Sequence, residues 1–349
     1  MGTRSAGVLW AALALAVAAM PARADEPVPI AIGAQQGLYG SLPLFVASEK
    51  DWWAPAGLLP EIVTWPSAAE QLVAGGDQIW DVAVTDPLSA VLGADRFGLM
   101  TVGIADDESD ANVVMARPKL VDAVFKNPAS LKGKTLELPP DTTAEYAALG
   151  CLSRWRLKRQ DVRFVALDPA RILAGFARGE DRLAALAAPD NYRLYAAGAG
   201  ITVCSGRDAE AVIPGALVAR SLYAAEHPER VARFLAVIFR AIAWEKAHRD
   251  ETLALLRHFQ ARYLLSFGHD VLNREVETRP TFTLAEQLQL LDRSKNGVST
   301  GDAWYARLAA YAVAAGLVQA PPIGDSFLTD RYVRWVDGDP ALKALVTAE

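Results

Sequence analysis

Short apolar runs alternate with helix-length stretches along this chain, and each junction between them carries glycine, proline, a hydroxyl or an acid. Val28 to Gly33 reads as a strand, Ala34 to Gly40 as a polar, glycine-bearing loop, and Ser41 to Asp51 as a helix with Leu42, Phe45 and Val46 on one face. Leu59 to Trp65 is the next strand; Ser67 caps a helix through Leu72, and Gly75-Gly76 stops it. Trp80 to Val84 runs into Thr85-Asp86-Pro87, where Asp86 is placed to cap and Pro87 to take the first helical position. Lys134 to Leu138 repeats the unit, followed by the Pro139-Pro140 break and a helix to Trp155 whose first turn holds Asp141, Thr142 and Thr143. Repeated strand, turn and helix predict an α/β class in which the polar tips collect on one sheet edge.

After Tyr223 the pattern is helical nearly to the end. Pro228 opens a long helix with Val231, Phe234, Leu235, Ile238 and Ile242 on one face, and Glu251 to Leu264 forms another. Thr283 with Glu286 makes a capping box, Asn296-Gly297 breaks the chain, and Trp304 to Ala315 is a fourth helix. The aromatics of this part, Trp244, Phe259, Tyr263, Trp304 and Tyr305, read as core.

Residues 1–24 read as a secretory signal: Arg4, an apolar run from Gly7 to Met20, and the small-residue ending Ala22-Arg23-Ala24. The expectation is a cleaved leader and a periplasmic protein. The chain has 349 residues, 52% of them hydrophobic, enough for two lobes with sizeable cores. Its 35 basic and 41 acidic residues give a net charge of −6, which argues against nucleic acid as a partner. Cys151 and Cys204 are the two cysteines, and an oxidising compartment permits either a bridge or two buried thiols. All four histidines, His227, His248, His258 and His269, fall in the helical part without metal-ligand spacing, and neither a G-x-S-x-G elbow nor a P-loop is present. No cofactor, metal or catalytic residue is expected.

The order VPIAIGAQQGLYGSLPLFVASEKDWWAPAGLLPEIVTW, then SAAEQLVAGGDQIWDVAVTDPLSAVL, then SLKGKTLELPPDTTAEYAAL resembles the substrate-binding proteins of ABC importers in the nitrate, sulfonate and taurine group. The likeness continues through Asp168 to Gly179 and through Ile213 to Phe234. It implies a two-lobed periplasmic-binding-protein-like (type II) fold, with a ligand cleft between the lobes and a helical C-terminal part. Residues 25–115 and 214–349 would form a discontinuous first lobe and 116–213 the second. It further implies a monomer that delivers a small-molecule ligand to a permease and ATPase complex. Two stretches depart from the family pattern. Leu186 to Tyr192 replaces the expected tryptophan-bearing loop, and Asp106 to Asp110 is unusually acidic, reading as a solvated charge run.

The candidate ligand contacts are Gln35, Gln36 and Tyr39 in the first loop, Thr85 and Asp86 at the third strand's tip, Thr142 and Thr143 at a helix start, and Asp190 and Tyr192 on the hinge side. For each, a cap or turn role is the alternative. Hydroxyls and backbone N–H groups at helix starts suit a sulfonate or carboxylate, whereas a cleft-facing Asp86 or Asp190 would favour an ammonium group, so a zwitterion fits both. Other outcomes are an exported accessory to a periplasmic oxidoreductase, motivated by the Pro189-Asp190 loop, and a precursor-biosynthesis enzyme of the same fold.

Overall fold

The computed structural model describes residues 26–322 and 324–348; the expected leader lies outside the described residues. The chain lays down β1 (Val28–Gln35), β2 (Leu58–Trp65), β3 (Val82–Thr85) and β4 (Leu99–Asp107), and then changes sheet. It continues through β5 (Asn112–Ala116), β6 (Thr135–Leu138), β7 (Arg163–Ala166), β8 (Leu183–Ala187) and β9 (Ile201–Ser205), and returns as β10 (Pro214–Arg220). Two five-stranded sheets result, ordered β2-β1-β3-β10-β4 and β7-β6-β8-β5-β9. Helices cover both sheets, and the rest of the chain, from Ser221 onward, is helical.

The two sheets share one plan. β1 is parallel to β2 and β3, and β6 is parallel to β7 and β8. The strand that arrives from the other sheet, β10 in the first and β5 in the second, is antiparallel to both its neighbours and occupies the fourth place. An antiparallel strand begins where its neighbours end. Each crossing therefore joins the carboxyl edge of one sheet to the carboxyl edge of the other, and the crossings are short, so the two edges face one another. The first crossing falls at 108–111, ahead of β5; β5 lies in the second sheet, although nearly all of it was expected on the first-lobe side of a division at 115 and 116.

Local signals explain most elements. Ser67 accepts from Glu70 N, Asp86 from Ser89 N, and Thr283 forms its capping box with Glu286. Gly75 and Gly76 are the last residues of their helix rather than its stop, and Gly75 leaves room for the Trp80 ring, from which a Cβ there would lie 2.3 Å. That indole is buried and donates Nε1–H to Gln71 O at 2.9 Å. The long helix Pro228–Ala247 buries Val231, Phe234, Leu235, Ile238 and Ile242 against the first sheet's core, as its spacing predicts.

The free edge of β4 is closed by the C-terminal part. Gln287 is fully buried; its Oε1 accepts from Ile104 N at 3.1 Å and its Nε2 donates to Ile104 O. Thr101 exchanges backbone bonds with Phe327 and Thr329. In the second sheet Cys151 and Cys204 are joined as a disulfide, tying the helix Thr143–Arg154 to β9. Among the described residues, no helix is long and apolar enough to cross a membrane.

Candidate functional site

The facing carboxyl edges collect the polar tips anticipated from sequence. Gln35 ends β1, and its Nε2 lies 3.0 Å from Gln71 Oε1, 3.1 Å from Thr85 Oγ1 and 3.2 Å from Asp86 Oδ2. Gln35, Thr85 and Asp86 thus form one hydrogen-bonded group. Asp86 also caps its helix, with Oδ1 accepting from Ser89 N at 3.0 Å. Gln36 is exposed in the turn, whereas Tyr39 is buried.

On the second-sheet side, Thr142 is a cap. Its Oγ1 donates to Pro139 O at 2.9 Å and accepts from Glu145 N at 3.4 Å, while Thr143 is the first helical residue. Tyr311, from the helix Thr300–Ala314, reaches across to this turn, donating toward Thr142 O at 3.3 Å and Glu145 Oε2 at 3.2 Å. The stretch Leu186 to Tyr192 is the end of β8 followed by the helix Asp190–Ala196. Asp190 pairs with Arg193 at 2.7 Å. Tyr192 is buried, its hydroxyl 3.1 Å from Thr278 Oγ1 on the helix His269–Thr278, its ring edge-on to Phe267.

The acidic run departs from expectation. Asp106, Asp107, Glu108 and Ser109 are all buried, so the segment is no solvated charge run. The crossing strands enclose it. Glu108 N donates to Ile213 O at 2.8 Å, Ile213 N to Ser109 Oγ at 3.0 Å, and Asp107 N to Pro280 O at 2.9 Å. Arg207, from the second crossing, answers part of the charge: it donates to Asp107 Oδ2 at 3.1 Å and also binds Asp110. Neither oxygen of Asp106 accepts a hydrogen bond.

Other charges approach the same place from the C-terminal helices. Glu245 on Pro228–Ala247 is buried with both oxygens unpartnered. Glu275 receives Gln260 Nε2, and Arg279 Nη1 at 3.4 Å. The Arg279 guanidinium stands 5.7 Å from the centre of the Tyr39 ring. Burial pushes the carboxyls of Asp106 and Glu245 well up from their ordinary values; neighbouring Glu108 adds to the first and Asp106 to the second. Glu275 is pushed up to about 7 by burial, against the opposing pull of Arg279 and Gln260. The Tyr39 phenol is raised by burial and by Glu245, Glu275 and Asp106.

Sequence reasoning missed Glu245 and Glu275, on helices, and Arg279, just past the end of the helix His269–Thr278, none with a local marker of function. For Asp106 a signal existed: the nearly unbroken apolar run Leu99 to Ala105 leads straight into it, which marks a buried strand ending in acid. Among the described residues, no group of three or more histidine, cysteine, aspartate or glutamate side chains is arranged to hold a metal ion.

Comparisons with known proteins agree with this architecture. A family model described as NMT1/THI5 like matches residues 40–252. A protein of Brucella abortus named as a binding protein is 24% identical over 331 residues, covering 92% of this chain and 97% of its own. An aliphatic sulfonates-binding protein of Bacillus subtilis is 26% identical over 232 residues, 65% of this chain and 68% of its own. Among solved structures, a periplasmic sulfonate-binding protein of Methylobacillus flagellatus superposes with a TM-score of 0.70 at 16% identity, over 93% of this chain and 97% of that one. A desulfurization enzyme shares the fold with a TM-score of 0.64 at 14% identity, over 89% of this chain and 99% of its own.

Proposed function

The chain belongs to the NMT1/THI5-like family, and from that premise we propose that it is an exported solute-binding protein. It captures a small polar organic ligand, a sulfonate, carboxylate or zwitterionic amine, between its two lobes and hands it to an ABC importer. The observation that carries this reading is the meeting of the two carboxyl edges. Strand tips and helix starts from both sheets converge there on polar side chains, in the crevice where open α/β sheets bind ligands. Two short crossings are the hinge such a protein needs, since a few residues at element ends can absorb the rotation that opens and closes the lobes.

Gln35, Thr85 and Asp86 form the first lobe's polar wall, with Tyr39 behind them. Tyr192 and the turn at Thr142 and Thr143 form the second lobe's share. Several of these residues already act as caps, and a cap with a spare lone pair or N–H can also serve a ligand. The absence of the sequence signatures of nucleophilic or metal catalysis, and relatives named as binding proteins, favour capture without turnover.

Isothermal titration of the mature protein against a panel of sulfonates, carboxylates, amino acids and nitrate tests the reading. We expect saturable one-to-one binding of at least one organic member, with a change in tryptophan fluorescence and the ligand recovered intact. Recovery of a chemically altered ligand would sink it in favour of an enzyme.

A further inference from the structure

A hollow of about 250 Å³ lies between strands β1 and β2 and the helices Leu42–Glu49 and Arg249–Ala261. Its floor is Ala34, Ile62 and Thr64. Ala34 and Thr64 are partners across the two strands, and Ile62 precedes Thr64 by two, so all three point from one face of the sheet. Its wall is aromatic: the Phe45 and Phe259 ring centres are 5.8 Å apart, and Phe259 meets Tyr263 edge-on at 5.4 Å. Arg262 forms the rim, its guanidinium 4.3 Å from the Phe45 ring centre and its Nη2 donating to Glu49 Oε1 at 2.9 Å.

The hollow adjoins the cleft through the first loop. Ala34 immediately precedes Gln35, and Ser41 follows Tyr39 and Gly40, so both flanks of the loop that begins at Gln35 line it. Two serines of this region differ in their state. Ser48 Oγ is fully engaged, donating to Leu44 O at 2.9 Å and accepting from Trp53 Nε1 at 3.1 Å. Ser41 is 2% exposed, caps no helical N–H, and its Oγ has no hydrogen-bond partner. A buried hydroxyl left unpaired is unfavourable, so the space beside it suits a guest with one polar atom on an otherwise apolar body. An apolar cavity of about 150 Å³ already holds a benzene ring. This larger one therefore takes a ring together with a short link to it.

We propose that this hollow is the subsite for the ligand's tail, an aromatic ring whose one polar atom hydrogen-bonds to Ser41 Oγ, while the charged head of the same molecule is held at Gln35 and Thr85. The inference rests on the solute-binding reading above and deepens it, naming the ligand as a ring-bearing organic anion or zwitterion. An inorganic anion, which has no tail, leaves the subsite empty. Phe45, Phe259 and Tyr263 then set specificity by shape, at a distance from the head group they never touch.

The test compares probes that share a head and differ in the tail: methanesulfonate against phenylmethanesulfonate, acetate against phenylacetate, and glycine against phenylglycine, each titrated into the full mature protein. We expect the ring-bearing member of at least one pair to bind about tenfold or more tighter than its partner. Thr64→Phe fills the floor with a side chain suited to a strand, so it should bring that ratio toward one while the melting temperature stays near the wild-type value. Benzyl alcohol, a ring with a hydroxyl and no charged head, should displace the ring-bearing probe from the wild type and leave the short probe bound, a measurement that needs no variant. Ser41→Ala should shift the affinity ratio of benzyl alcohol to toluene severalfold toward toluene. Short probes that bind as tightly as ring-bearing ones would overturn the subsite and leave the solute-binding reading standing. A ring preference that survives in folded Thr64→Phe, or that benzyl alcohol does not compete with, would place the ring elsewhere and overturn it too. Failure of every probe, benzyl alcohol included, would remove both.

Discussion

Gly215 faces Asp106 so closely that a Cβ at position 215 would lie 1.9 Å from Asp106 Oδ1. The glycine is not there for an unusual backbone angle; it leaves the space the carboxylate fills. Gly215→Ala should cost about 1–3 kcal/mol as the strand shifts to relieve the collision. Asp106→Ala in the same molecule removes the obstacle, so the double variant should recover most of that loss. Urea denaturation of the four proteins in the cycle measures it, and strictly additive effects would mean that the two residues do not compete for one volume.

Gln287 stands in for a missing strand at the edge of the first sheet. Gln287→Leu leaves the Ile104 N–H and C=O buried without partners, which should destabilise the protein by about 2–4 kcal/mol, whereas Gln287→Glu keeps one of the two bonds. Thermal melts of both variants give the comparison. Amide exchange at Ile104 should accelerate in Gln287→Leu while β1, at the sheet's other side, stays protected.

The buried carboxyls impose a pH dependence. Glu275 is raised to about 7 in the folded state, against roughly 4.3 for an unperturbed glutamate. Between those values the folded protein holds a proton that the unfolded chain has lost. Stability is therefore full below the lower value and falls as pH rises through the higher one. Asp106, Glu108 and Glu245 are displaced in the same direction. Denaturation midpoints should be lower near pH 8 than near pH 5, and Glu275→Gln should flatten part of that slope; a midpoint that rises across the interval would contradict the assignment.

The Cys151–Cys204 bridge spans 53 residues. On the chain-entropy model a loop of that length contributes roughly 4 kcal/mol. Both cysteines lie within the β5–β9 unit, so the Cys151→Ala, Cys204→Ala protein should lose protection in that sheet first. Hydrogen exchange resolved by segment distinguishes this from a uniform loss.

What the amino-acid order disclosed followed the range of the forces involved. Caps at Ser67, Asp86 and Thr283, and the apolar face from Val231 to Ile242, depend on residues a turn or two apart, and they are where sequence placed them. The pairing of Gln35 with Thr85 and Asp86 follows from a parallel sheet bringing strand tips together. The burial of Asp106 to Ser109 does not: it depends on Ile213 and Pro280, which come from far along the chain, and a window around the acids sees only charge. The helix starting at Asp190 was hidden for a related reason, because it rests on tertiary contacts such as Tyr192 to Thr278 rather than on a capping side chain.

The plan of the first sheet also sets an order of events during folding. β4 touches no strand but β10, and β10 separates it from β3. A chain emerging from its N-terminal end on the side where it folds therefore exposes an apolar strand that has nothing to pair with until about a hundred further residues have emerged. The β5–β9 unit, continuous in the chain and self-sufficient in strands, can close in that interval. It then holds the two ends of the first lobe near each other, so that the segment which completes the older half arrives already positioned beside it.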